Sequence, residues 1–218
     1  MKVLTALEQA RGPVQLSDVA RLAGLQPSKV HRYLVSLVRT GLAAQEQPSG
    51  RYTLGPAARR VGVEALRRGD EVSIATGHAI GLRDRTEHTT NLATWSDAGP
   101  VIIRWDYGAY PLPITVRVGS TLPLLDSSVG RVYLAHLPPA LSMPALRAQQ
   151  ERGETSTLGD EELDAMLNDV RRCGYSVTTG GVIPGLSAIA APVFASGPGV
   201  ALVLGVAVPT NALTASVR

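Results

Sequence analysis

Two groups of side chains have types and spacings that could do chemistry. In the first, Ser28, Lys29, His31, Arg32 and Ser36 fall within nine positions, and Arg51 follows a turn formed by Gln47, Pro48, Ser49 and Gly50. Hydroxyl, ammonium, imidazole and guanidinium groups donate hydrogen bonds to phosphate oxygens and base edges. A guanidinium also grips guanine or phosphate at two points. The second group, Asp126, Ser127, Ser128 and His136, has the residue types of a hydrolytic triad. Crowded into eleven consecutive positions, it reads instead as a helix start capped by Asp126 or Ser127. The pattern G-x-S-x-G is missing, since Gly185, Leu186 and Ser187 continue into Ala188 and Ile189. His78, His88 and His136 lack metal-ligand spacing, and the single cysteine, Cys173, stands apart from them. No phosphate-binding loop or dinucleotide fingerprint occurs. Trp95, Trp105 and Tyr107 read as core or rim residues, because aromatics make up only 4% of the chain. The expectation is a protein without catalytic residues, metal or cofactor.

The elements that must position the first group form a short series. Val3, Leu4, Leu7 and Ala10 recur at helical spacing until Gly12 and Pro13 stop the run. Leu16, Val19, Ala20 and Ala23 predict a second helix, started near Ser17 or Asp18 and ended by Gly24. Pro27 suits a first helical position, and Val30, Tyr33, Leu34, Leu37 and Val38 form one apolar stripe closed by Gly41. Helix, four-residue turn, helix is the spacing of a helix-turn-helix. With Val30 at the centre of the buried stripe, Ser28, Arg32, Val35 and Arg39 point away from it at 100° per residue. Lys29 and Ser36 lie on one flank and His31 on the other. The N-terminal turns of such a helix meet base edges in the major groove. Leu42 to Leu54 reads as a β-hairpin, hence a wing, which carries Arg51 toward the adjacent DNA backbone or minor groove. Ala57 to Arg68 reads as a helical connector.

Charge separates this part from the rest. Residues 1–70 hold eleven Lys and Arg against five acids, a balance of +6, whereas the remainder carries −3. A basic first third calls for an anionic partner, of which nucleic acid is the commonest, and with the helix-turn-helix and wing the expected partner is double-stranded DNA. A length of 218 residues allows two small domains. The expected division is a winged helix-turn-helix at 1–55, a linker helix at 56–69 and a second domain at 70–218. The longest apolar run, Val200 to Val208, is too short to span a bilayer, so no membrane partner is expected. MKVLTALEQARG carries an acid and no apolar stretch followed by small residues, so a cytoplasmic location without a signal peptide is expected.

The second domain has another texture. Glu71 to Arg85, Ser127 to His136 and Asp160 to Cys173 read as helices, with Pro138 and Pro139 breaking the middle one. Thr90 to Trp95, Val101 to Trp105, Ile114 to Val118, Ser187 to Phe194 and Val200 to Val208 read as strands. Such a mixture predicts an α+β fold with an antiparallel sheet.

Three stretches resemble the IclR family of bacterial transcriptional regulators. The first runs from SDVARLAGLQPSKVHRYL through the wing exit GRYTLG, at Gly50 to Gly55. The second is LPLLDSSVGRVYLAHLP, from Leu122 to Pro138, with its Gly130 and Arg131 pair and its Leu134 and Ala135 ending. The third is GLSAIAAPVFASGPGVALVLGVAVP, from Gly185 to Pro209. The resemblance implies a winged helix, a linker helix and a GAF-like effector-binding domain. It implies homodimers or homotetramers on palindromic operators, acting as repressors, and a small acidic or aromatic effector. By the same resemblance the effector pocket is lined by Ile114, Leu122, Ser127, Ser128, Val129, Thr178, Leu186 and Ala188. Departures from the pattern are visible. No acid stands between Ser176 and Gly181, Ser128 and Val129 are bulkier than usual, and Asn211 to Arg218 is too short for the family's final helix. A rival reading is a winged helix whose second domain only oligomerises and binds no ligand.

Overall fold

In a computed structural model that describes residues 1–10, 12–67, 70–110, 116–194 and 200–215, the chain divides into the units Met1–Gly69 and Asp70–Arg218. The first unit contains α1 (Lys2–Gln9), α2 (Leu16–Ala23), α3 (Pro27–Arg39), β1 (Ala43–Gln45), β2 (Tyr52–Leu54) and α4 (Pro56–Arg67). Val3, Leu7, Val19, Ala20, Val30 and Leu34 bury one face of each of the first three helices in a common core, closed by Ala43 and Tyr52 of the hairpin. Val14 adds a rung to the wing through paired bonds with Tyr52, at 2.9 and 2.7 Å. The buried stripe of α3 is narrower than its sequence suggests. Val30 and Leu34 are fully buried, but Tyr33 is 47% and Val38 37% exposed. The short α1, α2 and hairpin cover only a limited arc of the longer α3.

The second unit contains α5 (Asp70–Thr86), β3 (Thr89–Ser96), β4 (Gly99–Asp106), α6 (Ser128–His136), α7 (Pro139–Glu151), α8 (Asp160–Cys173), β5 (Ser176–Thr179), β6 (Leu186–Phe194), β7 (Val200–Pro209) and α9 (Thr210–Ala215). One antiparallel sheet runs in the order β4-β3-β7-β6-β5. Alternation along β3 assigns its two faces. Leu92 packs with Ala75 and Ala79 of α5, and the Thr90 hydroxyl donates to the Ala79 carbonyl at 3.1 Å. Ala93 packs instead with Val129, Val132 and Tyr133 of α6, and the Tyr133 hydroxyl donates to its carbonyl at 2.8 Å. Asn91, two residues before Ala93, shares that second face.

Several expectations need correction. Of the strand expected at Ile114 to Val118, Ile114 and Thr115 lie outside the described residues. Val116 to Val118 form no strand but lead into a turn in which the Ser120 N–H donates to the Arg117 carbonyl at 2.9 Å. Val116 and Val118 on either side of Arg117 alternate in sequence like a strand, but only Val116 is buried, while Arg117 and Val118 are both exposed. The prolines at 138 and 139 end α6 but also start α7, which continues through Pro144 because Ser142, Ala145, Leu146 and Gln149 are buried on one side. β5 and the six-residue α9 were not expected either.

Residues 122–126 link the sheet to α6 without regular structure, so their backbone groups are bonded from elsewhere. Gln149, 1% exposed, accepts from the Leu124 N–H at 2.8 Å and donates to the carbonyls of Ala98 at 3.0 Å and Leu122 at 3.2 Å. Thr155 accepts from the Leu125 N–H at 2.9 Å, and the Arg131 guanidinium donates to the Leu125 carbonyl at 2.6 Å. Two glycines permit this packing. A Cβ on Gly99, whose φ is +116°, would stand 2.8 Å from the Gln149 amide nitrogen, and one on Gly130 would stand 2.5 Å from the Leu124 carbonyl oxygen. Replacing Gln149 with Leu keeps the volume but strands one buried N–H and two carbonyls. Unpaired buried groups cost about 1–3 kcal/mol each, so Gln149→Leu is expected to lower the unfolding free energy by about 3 kcal/mol in urea denaturation. A change below about 0.5 kcal/mol would show that the segment is held by other means.

Candidate nucleic-acid interface and ligand pocket

The turn before α3 is set by backbone bonds. Gly24 adopts a left-handed conformation, with φ 61°, and the Leu25 N–H reaches the Ala20 carbonyl at 3.0 Å. Pro27 opens α3 as its first residue. Burial of Val30 and Leu34 then turns Ser28, Lys29, His31, Arg32 and Ser36 to solvent, where all five are exposed. Arg32, Val35, Ser36, Arg39 and Thr40 line an open groove along the outer side of the helix. The wing holds its own shape: the Gln45 side chain donates to the Gly50 carbonyl at 2.9 Å, and the Arg51 N–H donates to the Ser49 hydroxyl at 3.3 Å. Arg51 is exposed beside that turn. Among the described residues, Lys29, Arg32, Arg39 and Arg51 form no ion pair. Free surface cations can neutralise phosphates and release counterions. Val35, 44% exposed, adds an apolar contact of the kind that meets a thymine methyl.

In the second unit a narrow cavity of about 60 Å³ lies between the sheet and the start of α6. Leu122, Ser127, Ser128, Val129 and Ala188 line it, whereas Thr178 and Leu186 do not. Thr178 is buried on β5, the outer strand beyond β6, and Leu186 is the first residue of β6, opposite Pro209. The cavity instead sits over the central strands. Ile114 lies outside the described residues. Asn91, Trp105, Val116, Val182 and Gly205 complete the wall and were not expected there. A lone polar residue on the sheet face that continues with Ala93 was the available signal for Asn91.

No lining side chain among the described residues is ionisable. The Ser127 hydroxyl is occupied: it donates to the Pro123 carbonyl at 2.6 Å and accepts from the Gly130 N–H at 2.9 Å as the cap of α6. Ser128 is 1% exposed, and its side chain makes no hydrogen bond among the described residues. The first N–H groups of a helix have no partner within it and carry partial positive charge. Asn91 Oδ1 and Trp105 Nε1 are buried without a hydrogen-bond partner among the described residues.

No triad assembles around Ser127. Asp126 accepts from the Ser156 N–H at 2.7 Å and the Thr155 hydroxyl at 3.3 Å. His136 ends α6, about 12 Å along the helix from Ser128 at 1.5 Å per residue. Burial, reinforced by Arg171, lowers the His136 pKa. Burial also raises the pKa of the Tyr133 hydroxyl and lowers that of Arg131, against the opposing pull of Asp126. No cluster suited to a metal ion and no helix long and apolar enough to cross a membrane occurs among the described residues.

Comparison with known proteins covers both units. Residues 1–47 match the IclR helix-turn-helix domain, and residues 63–217 match the bacterial transcriptional regulator IclR C-terminal family. The chain is 29% identical over 183 residues to the HTH-type transcriptional regulator BhcR of Paracoccus denitrificans, covering 82% of this chain and 65% of that protein. It is 26% identical over 198 residues to the transcriptional repressor IclR of Escherichia coli, covering 89% of this chain and 72% of that one. The chain thus spans about two thirds of the length of these relatives. Its fold is shared with an IclR homologue from Microbacterium hydrocarbonoxydans crystallised with 4-hydroxybenzoate. That structure has a TM-score of 0.72 at 24% identity, over 95% of this chain and 86% of that one.

Proposed function

The chain belongs to the IclR family of bacterial transcriptional regulators, and from that premise we propose that it represses transcription by binding a palindromic operator, with a small organic acid adjusting the binding. The observation that carries the reading is the outer face of α3 and the wing, where Lys29, Arg32, Arg39 and Arg51 stand exposed and unpaired among the described residues. A fold has no use for four free cations around one recognition helix, but a phosphate backbone has. The repressor assignment is supported by the name of the Escherichia coli relative, and the acidic effector by the 4-hydroxybenzoate complex of the structural relative. A protein acting on chromosomal DNA works in the cytoplasm. Ligand binding shifts DNA affinity only if the DNA-competent and incompetent states bind the ligand differently.

The small size of the cavity favours a second reading, in which the second domain assembles the protein and senses nothing. A thermal-shift screen of small carboxylates separates the two, because a ligand that binds the native state raises Tm. On the proposed reading at least one acid does so. No stabilisation by any of them would favour the purely structural role.

Three outcomes follow from the proposal. Arg32→Ala should lose about 1–3 kcal/mol of operator affinity if Arg32 grips a base, while Arg51→Ala weakens operator and random DNA evenly. Mobility-shift titrations check both, and equal wild-type affinity for operator and random duplex would contradict the interface. One winged helix reads too few base pairs for a genomic address, so light scattering should find a dimer or larger assembly. A monomer both free and on DNA would contradict this. Ser128→Leu, filling the pocket at the first turn of α6, should abolish the effect of a stabilising acid on operator binding and preserve that binding itself. If operator binding is lost instead, Ser128 is structural.

A further inference from the structure

The pocket contains two polar groups that the fold does not use. Asn91 is 7% exposed and its Oδ1 lacks a partner; the indole nitrogen of Trp105 is buried and equally unpaired. Its neighbour along β3 is treated differently, for the buried Thr90 hydroxyl is bonded to the Ala79 carbonyl at 3.1 Å. Native interiors rarely leave such groups orphaned, and the exceptions gather where something else must bind.

Both groups belong to one lateral row of the sheet. Asn91 on β3 stands directly opposite Trp105 on β4 and Gly205 on β7. Opposed residues of antiparallel strands share a face with Cα atoms about 5 Å apart, so a single ligand group can meet both side chains. The row is also cut to admit the amide. A Cβ on Gly205 would stand 2.7 Å from Asn91 Oδ1 and 2.9 Å from Nδ2, which leaves glycine as the residue that accommodates Asn91.

Resting on the reading that the effector lies between the sheet and α6, we propose that Asn91 and Trp105 form a specificity subsite that selects an effector bearing an uncharged hydroxyl group. A hydroxyl donates to Asn91 Oδ1 and accepts from the Trp105 indole N–H at once. A ketone or ether oxygen accepts only and leaves Oδ1 unpaired. A second carboxylate or an ammonium finds no counter-charge, because no lining side chain among the described residues is ionisable. The carboxylate of the same molecule takes the Ser128 hydroxyl and the free N–H groups at the start of α6, and Val116, Leu122 and Ala188 wall the carbon frame between the two ends.

The test uses calorimetric titration of the whole chain with matched acids: lactate and propanoate, 3-hydroxybutanoate and butanoate, 4-hydroxybenzoate and benzoate. In at least one pair the hydroxylated acid should bind about tenfold or more tightly than its partner, as sites built to bond a hydroxyl do. Asn91→Leu and Trp105→Phe, the second keeping an aromatic ring without the N–H, should each cut that preference to less than about threefold. Because Asn91→Leu removes an unpaired buried polar atom, its Tm should not fall. Should Asn91→Leu fail to fold, Trp105→Phe decides alone. Equal binding of both members in every pair, or a preference that survives the substitutions, overturns the subsite and leaves the effector reading standing. Absence of heat with every acid overturns the effector reading and this subsite with it.

Discussion

A buried backbone segment that belongs to no helix or strand must have its polar groups bonded from elsewhere, and residues 122–126 impose that constraint on the second unit. Gln149 serves Leu122 and Leu124, Thr155 serves the Leu125 N–H, Arg131 serves the Leu125 carbonyl, and Ser127 turns back onto Pro123. The elements supplying these groups have their positions explained by the task. α7 delivers Gln149 from 25 residues away along the chain. Gly99 and Gly130 clear the space in which Gln149 and the Leu124 carbonyl sit. The outcome is that the start of α6 and the Leu122 wall stand at one defined place over strands β3 and β7.

Against that background, the unpaired groups stand out. In the first unit Val30 and Leu34 complete the packing of α3, and Tyr52 closes the wing. The cations around them contribute nothing to that core. In the second unit the hydroxyls of Ser127, Thr90 and Tyr133 are bonded to backbone carbonyls. Asn91 and Trp105 are not. Both units thus hold polar or charged side chains that the fold leaves unpaired among the described residues, the first on an exposed face and the second inside a narrow cavity.

How much of this was legible in the sequence depended on how local the cause was. α3 and α8 follow from their periodicity, and from Pro27 in one and the acidic first turn and Gly174 in the other. β6 and β7 follow from long apolar runs bounded by turns. α7 was not expected because Pro138 and Pro139 read as a break after α6 and Pro144 falls inside the helix, where burial of Leu146 and Gln149 overrides it. Tyr33 and Val38 fit the stripe of α3, but the stripe's width depends on how much of α3 its neighbours cover. The cavity's lining overlaps the 122–138 stretch. It leaves out Thr178 and Leu186, and the order of strands that puts β5 at the edge is not written in any single segment. Asn91 and Trp105 become neighbours only through strand register, which the sequence does not display.

Sequence-specific recognition of DNA by the assembled protein is the central requirement of the proposed function. The most direct measurement is selection by the whole chain from a pool of randomised duplexes at physiological salt, followed by sequencing of what is retained. The retained duplexes should converge on a two-fold-symmetric motif with half-sites about one helical turn, or a multiple of it, apart. A retained pool that stays random, with binding that fades on added salt without sequence preference, would contradict it.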